Sequence, residues 1–293
     1  MLLAPASPSS APSSQAAVQR QPNSHERRSS RWRVGPFGAA ATGLVLATVA
    51  TRLAFMTQTL YAFDSANYGL AVRDFYNVAF HQPHPPGYPL YVLFARLIDL
   101  LVHDANRALV IEGIAWSAVA VGCTIALARA MFGRALGLLA GLLLMCTVGF
   151  WGYGEVAYPY VALAGETASL ALLTHAILAG RQRLAIPLGL VWAISLGTRW
   201  DGAVFCIPLA LWALWRVTWR LRLATVALAA LVVMAWAVPM VLLSGGWDAY
   251  RQIFAAYLQV WSPQSAYVGV VGDFASGGDT QATYNLNFLI NYL

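Results

Sequence analysis

The chain of 293 residues contains no lysine; its entire basic complement is 18 arginines, set against 12 acidic residues. Charged side chains make up only 10% of the sequence and hydrophobic ones 59%. That balance excludes a soluble domain of this length, because surface grows too quickly relative to core for so much apolar area to be hidden from water. Cysteine is equally scarce. Cys123, Cys146 and Cys206 each lie inside an apolar run, without CxxC or zinc-type spacing, so a disulfide framework and a cysteine metal site are excluded and all three read as packing residues. No Asp-x-Asp pair occurs. No cofactor is expected, and a divalent metal is not indicated. The formal charge of +6 is spread along the chain, so nucleic acid is not an expected partner.

What the chain does contain is aromatic and apolar. Eleven Trp and thirteen Tyr fit a protein with two membrane interfaces to anchor. Several apolar runs approach the roughly 20 residues that cross a bilayer as helix. The expected fold is therefore an all-α, polytopic integral membrane protein. Residues 1–34 are rich in Ser, Pro, Ala and Gln and end in an arginine patch. They read as a disordered cytoplasmic tail, with no cleaved signal peptide. Residues 35–293 read as one transmembrane domain.

Apolar segments follow at about 36–56, 87–103, 108–132, 135–153, 158–180, 184–198, 202–217 and 221–245, and another starts at Asn287. If all of them span, Arg129, Arg134, Arg181 and Arg183 fall outside, against the positive-inside bias. Treating 87–103 as a juxtamembrane helix, opened by Pro85-Pro86 and carrying Arg96 and Asp99, removes the conflict. Seven spans then precede the second long loop. The outer loops become 57–107 and 246–286 and hold most of the acids. A true span at 87–103 is the alternative. The pair 184–198 and 202–217 is short, so its turn Arg199-Trp200-Asp201 must dip toward the membrane. Two charges at that depth need a cavity or each other.

The first outer loop is the richest in chemistry. Its first part, Tyr61 through Tyr76, has helical spacing and carries Asp64 and Asp74. Its second part, Pro83-His84-Pro85-Pro86-Gly87-Tyr88-Pro89-Leu90-Tyr91, cannot begin as regular helix, because its prolines fix φ and remove donors. Such a rigid segment can hold side chains at a fixed height above a membrane.

An outer-loop Asp64 one turn before Asn67-Tyr68, followed by PHPPGYPLY, resembles the GT-C glycosyltransferases, and within them the bacterial relatives of protein O-mannosyltransferases. Trp151-Gly-Tyr-Gly-Glu155-Val-Ala-Tyr158-Pro-Tyr160, Gly197-Thr-Arg199-Trp-Asp201 and Ser244-Gly-Gly-Trp-Asp248-Ala-Tyr250 follow in the same order. The resemblance runs from about residue 40 to the C-terminus. It implies a GT-C-type helical bundle in the cell membrane. The implied activity is transfer of a sugar from a polyprenyl-phosphate donor to a hydroxyl of a lipid, glycan or protein acceptor on the extracytoplasmic side, with inversion. It makes Asp64 the general base. The leaving phosphate then needs a cation, for which Arg199 is the first choice and Arg96 and Arg107 are rivals. Asp201, Glu155, His84, Tyr88 and Asp74 complete the candidate substrate-binding set. The family's protein-directed members carry an Asp-Glu pair where this chain has Asp64-Ser65, which weakens the case for a protein acceptor. Members also continue through further spans, so the chain reads as C-terminally truncated.

Each choice has a plainer reading. Asp64 can cap the helix that follows it, Asp74 can be a solvated carboxylate, and Arg199 and Asp201 can simply neutralise each other. His81 and His84 lack zinc spacing. Glu166, within a span, suits a neighbouring helix or a transport pathway. A transporter or lipid flippase is accordingly the second functional expectation, and a truncated, inactive relative the third.

Overall fold

The computed structural model describes residues 35–60 and 62–261. The expected tail at 1–34 and the expected segment from Asn287 lie outside the described residues, as does the rest of the second long loop from 262 onward. Among the described residues every regular element is helical: α1 (Pro36–Phe55), α2 (Phe63–Arg73), α3 (Pro89–Val102), α4 (Ala105–Phe132), α5 (Arg134–Cys146), α6 (Val148–Tyr153), α7 (Tyr160–Leu178), α8 (Ala185–Thr198), α9 (Trp200–Phe205), α10 (Ile207–Trp215), α11 (Trp219–Leu243) and α12 (Trp247–Trp261).

Local chemistry sets the boundaries. Pro36 and Pro89 occupy first-turn positions, where a missing N–H costs nothing. Asp104 caps α4 by accepting from the Arg107 backbone N–H at 2.8 Å. Gly133, at φ +93°, ends α4 and lets the chain reverse into α5. The apolar run 135–153 is not continuous helix. It breaks at Thr147, whose backbone is extended between α5 and α6.

Four of these helices are long and apolar enough to cross a membrane: α1, α4, α7 and α11. α5, α8 and the α9–α10 pair also fall in expected spans, but they are shorter; α8, at 14 residues, measures about 21 Å. α3 has the same length. It buries Leu90, Tyr91, Val92 and Ala95 and exposes Leu97, Leu100 and Leu101, the two-faced pattern of an interfacial helix. Much of the bundle's outer surface is greasy. Trp215 is 79% exposed and Leu231 68%, more apolar surface than soluble proteins usually leave to water.

α4 is the centre of the bundle, packing on α1, α3, α5 and α7. It meets α7 closely at Gly165, where a Cβ would stand 2.8 Å from both the ring and the carbonyl oxygen of Trp116. Small residues at such crossings let helix backbones approach where no hydrophobic force drives them together.

At one end of the bundle the connecting segments are laced together. Asn106 donates to the Thr57 carbonyl (2.7 Å), Thr57 to the Glu155 carbonyl (2.9 Å) and Ser65 to the Ala157 carbonyl (3.0 Å). The functional site lies in this layer.

Candidate functional site

The proline-rich loop is fixed before it reaches the site. Asn77 and Gln82 pair through their backbones, and the Asn77 side chain accepts from the Ala79 N–H. The Tyr76 hydroxyl donates to the Gly87 carbonyl at 2.6 Å, and the Tyr250 hydroxyl, from α12, donates to the Pro86 carbonyl at 3.0 Å. Gly87 sits at φ +115°, and a Cβ there would stand 2.7 Å from the Tyr76 oxygen. No other residue fits that turn without displacing the tyrosine that anchors it. Held this way, the loop delivers His84 and Tyr88 to fixed positions.

Asp64 lies in the first turn of α2, and Arg199 lies between α8 and α9. Together with His84, Tyr88, Tyr68, Tyr158, Tyr160 and Tyr257 they line one cavity of about 520 Å³, with Phe63 and His81 at its wall. Four expected residues from three separate segments, namely Asp64, His84, Tyr88 and Arg199, thus meet in a single space. The cavity holds a carboxylate, a guanidinium and two imidazoles within a rim of tyrosines. Such a surface can stack on a sugar ring, bind an anion and move a proton.

The geometry gives each group a task. Asp64 Oδ1 lies 3.7 Å from His84 Nδ1. Arg199 Nε donates to Asp201 Oδ2 at 3.0 Å, and its guanidinium lies over the Tyr160 ring at 4.3 Å. Neither Nη atom has a hydrogen bond among the described residues, so the outer fork of the guanidinium is available to a ligand. Burial works against the Arg199 charge, but Asp201, Tyr88 and Tyr160 outweigh it and raise its pKa. Tyr68, Tyr88 and Tyr257 are all raised by burial first, so they remain hydroxyl donors at neutral pH.

The other expected residues are used elsewhere. Arg96 does not reach the cavity: its Nε and Nη2 donate to the Ala71 carbonyl at 2.9 and 2.6 Å, closing the end of α2. Arg107 is exposed in the first turn of α4, and Asp74 is exposed at the C-cap of α2. Glu155 lies in the loop behind the cavity, where its backbone carbonyl receives Thr57, and burial raises its carboxyl pKa. Asp201 is bonded to Arg199 and is not among the residues lining the cavity. Ser65, beside Asp64, is fully buried and turned to Ala157, away from the cavity.

Two contributors come from where no helix is expected. Residues 247–261 read as loop, yet they form α12, whose Tyr250 ties the proline loop and whose Tyr257 lines the cavity. The aromatic spacing of Tyr250, Phe254 and Tyr257 is the helical signal present in the sequence. Tyr158 and Tyr160 flank Pro159 within the stretch Trp151–Tyr160 that carries part of the resemblance, but neither is among the expected site residues. No candidate cluster of metal-ligating side chains occurs among the described residues. In comparisons with protein-family models, curated proteins and solved structures, none matches the chain.

Proposed function

We propose that the chain is a membrane glycosyltransferase of GT-C type, moving a sugar from a polyprenyl-phosphate donor to an acceptor hydroxyl on the extracytoplasmic face with inversion. The observation that carries this reading is the meeting of Asp64, His84 and Arg199 in one tyrosine-rimmed cavity beside apolar helices. Acid–base chemistry centred on Asp64 removes the acceptor's proton as its oxygen attacks the anomeric carbon. Arg199, with its outer fork free, receives the charge on the departing lipid phosphate. The lipid also has a place to lie. A second cavity of about 300 Å³ shares Tyr88 with the polar one, and it shares Leu196 and Val233 with an apolar cavity of about 470 Å³ between α8, α10 and α11.

In this reading seven segments cross the cell membrane, α3 lies at the interface, and the arginine-bearing turns at 129–134, 181–183 and 216–222 face the cytoplasm. Purified protein is expected to turn over a polyprenyl-phosphate sugar without any ion gradient. Asp64→Asn is expected to lose about 10²–10⁴-fold in rate at unchanged expression. Full transfer by that variant would remove Asp64 from the mechanism.

A second reading, a proton-coupled transporter, is favoured by one observation. Glu112 of α4 and Glu166 of α7 are almost fully buried, and none of their four carboxylate oxygens makes a hydrogen bond. Ser195 and Thr198 lie near Glu166, but each donates to a carbonyl of its own helix. Buried acids within spans mark ion pathways in many membrane proteins. Gradient-driven uptake in proteoliposomes that is lost in Glu166→Gln, without sugar turnover, would favour this reading.

A further inference from the structure

His84 is a closely held titratable group of the cavity. Prolines flank it on both sides, and its own carbonyl accepts from the Gly87 N–H at 3.1 Å. The imidazole is packed against Tyr68, Tyr88 and Tyr257, at ring separations of 5.5, 5.0 and 6.4 Å. Nδ1 is buried with no hydrogen-bond partner, and the Asp64 carboxylate lies 3.7 Å from it. A buried nitrogen left without a bond is costly, so a donor nitrogen facing a carboxylate closes that gap once a ligand shuts out water. Hydrogen bonds of this kind commonly run long in unliganded sites and tighten in the complex.

We propose that Asp64 and His84 act as one acid–base unit, in which His84 takes the acceptor's proton and Asp64 orients the imidazole and stabilises its charge. The proposal rests on the glycosyltransferase reading and specifies which atom does the work there. With Nδ1–H turned to Asp64, Nε2 is the basic lone pair. As the acceptor oxygen forms its bond to the anomeric carbon, its proton passes to Nε2. The bond from that carbon to the phosphate oxygen breaks, and its electron pair leaves with the lipid phosphate toward Arg199. The imidazolium then returns its proton to water.

Asp64 alone is a weaker candidate. A carboxylate is a poorer base than an imidazole, and efficiency rises as the base's pKa nears the working pH. The groups facing His84 are Asp64 and Tyr68 from α2, His81 from its own loop, Tyr88 at the start of α3, Arg199 between α8 and α9, and Tyr257 from α12. Burial lowers the pKa of His84; Asp64 opposes that, while His81 and Arg199 add to it. The resting imidazole is therefore neutral at pH 7, as a base must be.

The test uses the full chain in detergent with isotope-labelled histidine; the sequence has five histidines, and His84→Gln identifies the signal. His84 is expected to titrate below the free imidazole value of about 6.5. In Asp64→Asn, which leaves the ring in place, it is expected to fall further, because the one neighbour that supports its charge is gone. In the transfer assay His84→Gln is expected to lose about 10²-fold or more in kcat with KM little changed. The acid limb of the wild-type pH profile should follow the His84 titration and vanish in that variant. His103→Gln, at the exposed end of α3, serves as the neutral control. A His84 titration indifferent to Asp64→Asn overturns the pairing, and an unaltered kcat and pH profile in His84→Gln overturns the proton transfer. Absence of sugar transfer by the wild type would instead sink the functional reading, and the titration would still decide the pairing.

Discussion

Arg199 separates a structural ion pair from a substrate-binding cation, because its two roles use different atoms. Nε–H is bonded to Asp201, Arg199 lines the cavity, and neither Nη atom has a hydrogen bond among the described residues. The side chains of Arg199 and Asp201 retain 18% and 33% exposure, so solvent screens the pair and it contributes about 1 kcal/mol. Stacking of the guanidinium over Tyr160 adds about 1 kcal/mol. Arg199→Gln is therefore expected to cost about 2 kcal/mol of stability, and Asp201→Asn about half of that. Transfer should divide differently. In the proposed transfer, Arg199→Gln removes the charge that would receive the leaving phosphate, which costs about 10²–10³-fold, or roughly 3–4 kcal/mol, when a comparable stabilising group is deleted elsewhere. Asp201→Asn keeps that charge and should stay within about tenfold of wild type. Arg199→Lys should fall between them, since an ammonium keeps the charge and loses the planar fork. The assay pairs initial rates on a lipid-phosphate sugar with thermal unfolding of the same samples. If Arg199→Gln and Asp201→Asn lose transfer equally, and in step with stability, the arginine is a structural partner only.

Other outcomes test the fold around the site. Gly165→Ala should destabilise by about 1–3 kcal/mol, because the carbonyl that its Cβ meets belongs to the backbone of α4 and cannot rotate away; Gly152→Ala, with open space around it, should not, and equal melting temperatures would refute the close crossing. Tyr76→Phe leaves the Gly87 carbonyl without its buried donor and should cost about 1–3 kcal/mol, read as a lower unfolding temperature and faster proteolysis of the proline loop. A cysteine at His103, exposed at the end of α3, should react with a membrane-impermeant reagent from outside the cell once Cys123, Cys146 and Cys206 are replaced. Labelling only after permeabilisation would make α3 a crossing helix.

Much of the helical layout was legible because apolar period and length act locally. The run at 108–132 and the run at 221–245 each closely overlap a helix long and apolar enough to cross a membrane, since a helix satisfies its backbone hydrogen bonds internally. Prolines at 83, 85, 86 and 89 announced a rigid loop, and Asp64, His84, Tyr88 and Arg199 could be picked out by residue type and neighbours. Helix continuity was harder to see. The break at Thr147 and the short pieces α9 and α10 follow from how neighbouring helices meet, which apolar composition does not encode.

The linear pattern ranked candidates without placing them. The sequence ranked Arg199 ahead of Arg96 and Arg107 through its turn beside Asp201, but it could not show where any of the three side chains ends. Only packing turns Arg96 onto the end of α2, leaves Arg107 in the open and sets Arg199 in the cavity wall. Tyr257 reaches the site only because α12 folds back over the proline loop through Tyr250. The pairing of Asp64 with His84 joins residues twenty positions apart, and no periodicity connects them. Hydrophobicity and charge thus determined by themselves that this chain is a bundle of apolar helices, because each helix responds to its own solvent. Tertiary structure decided which polar side chains share one cavity, because that depends on directions and distances between elements that a linear pattern does not carry.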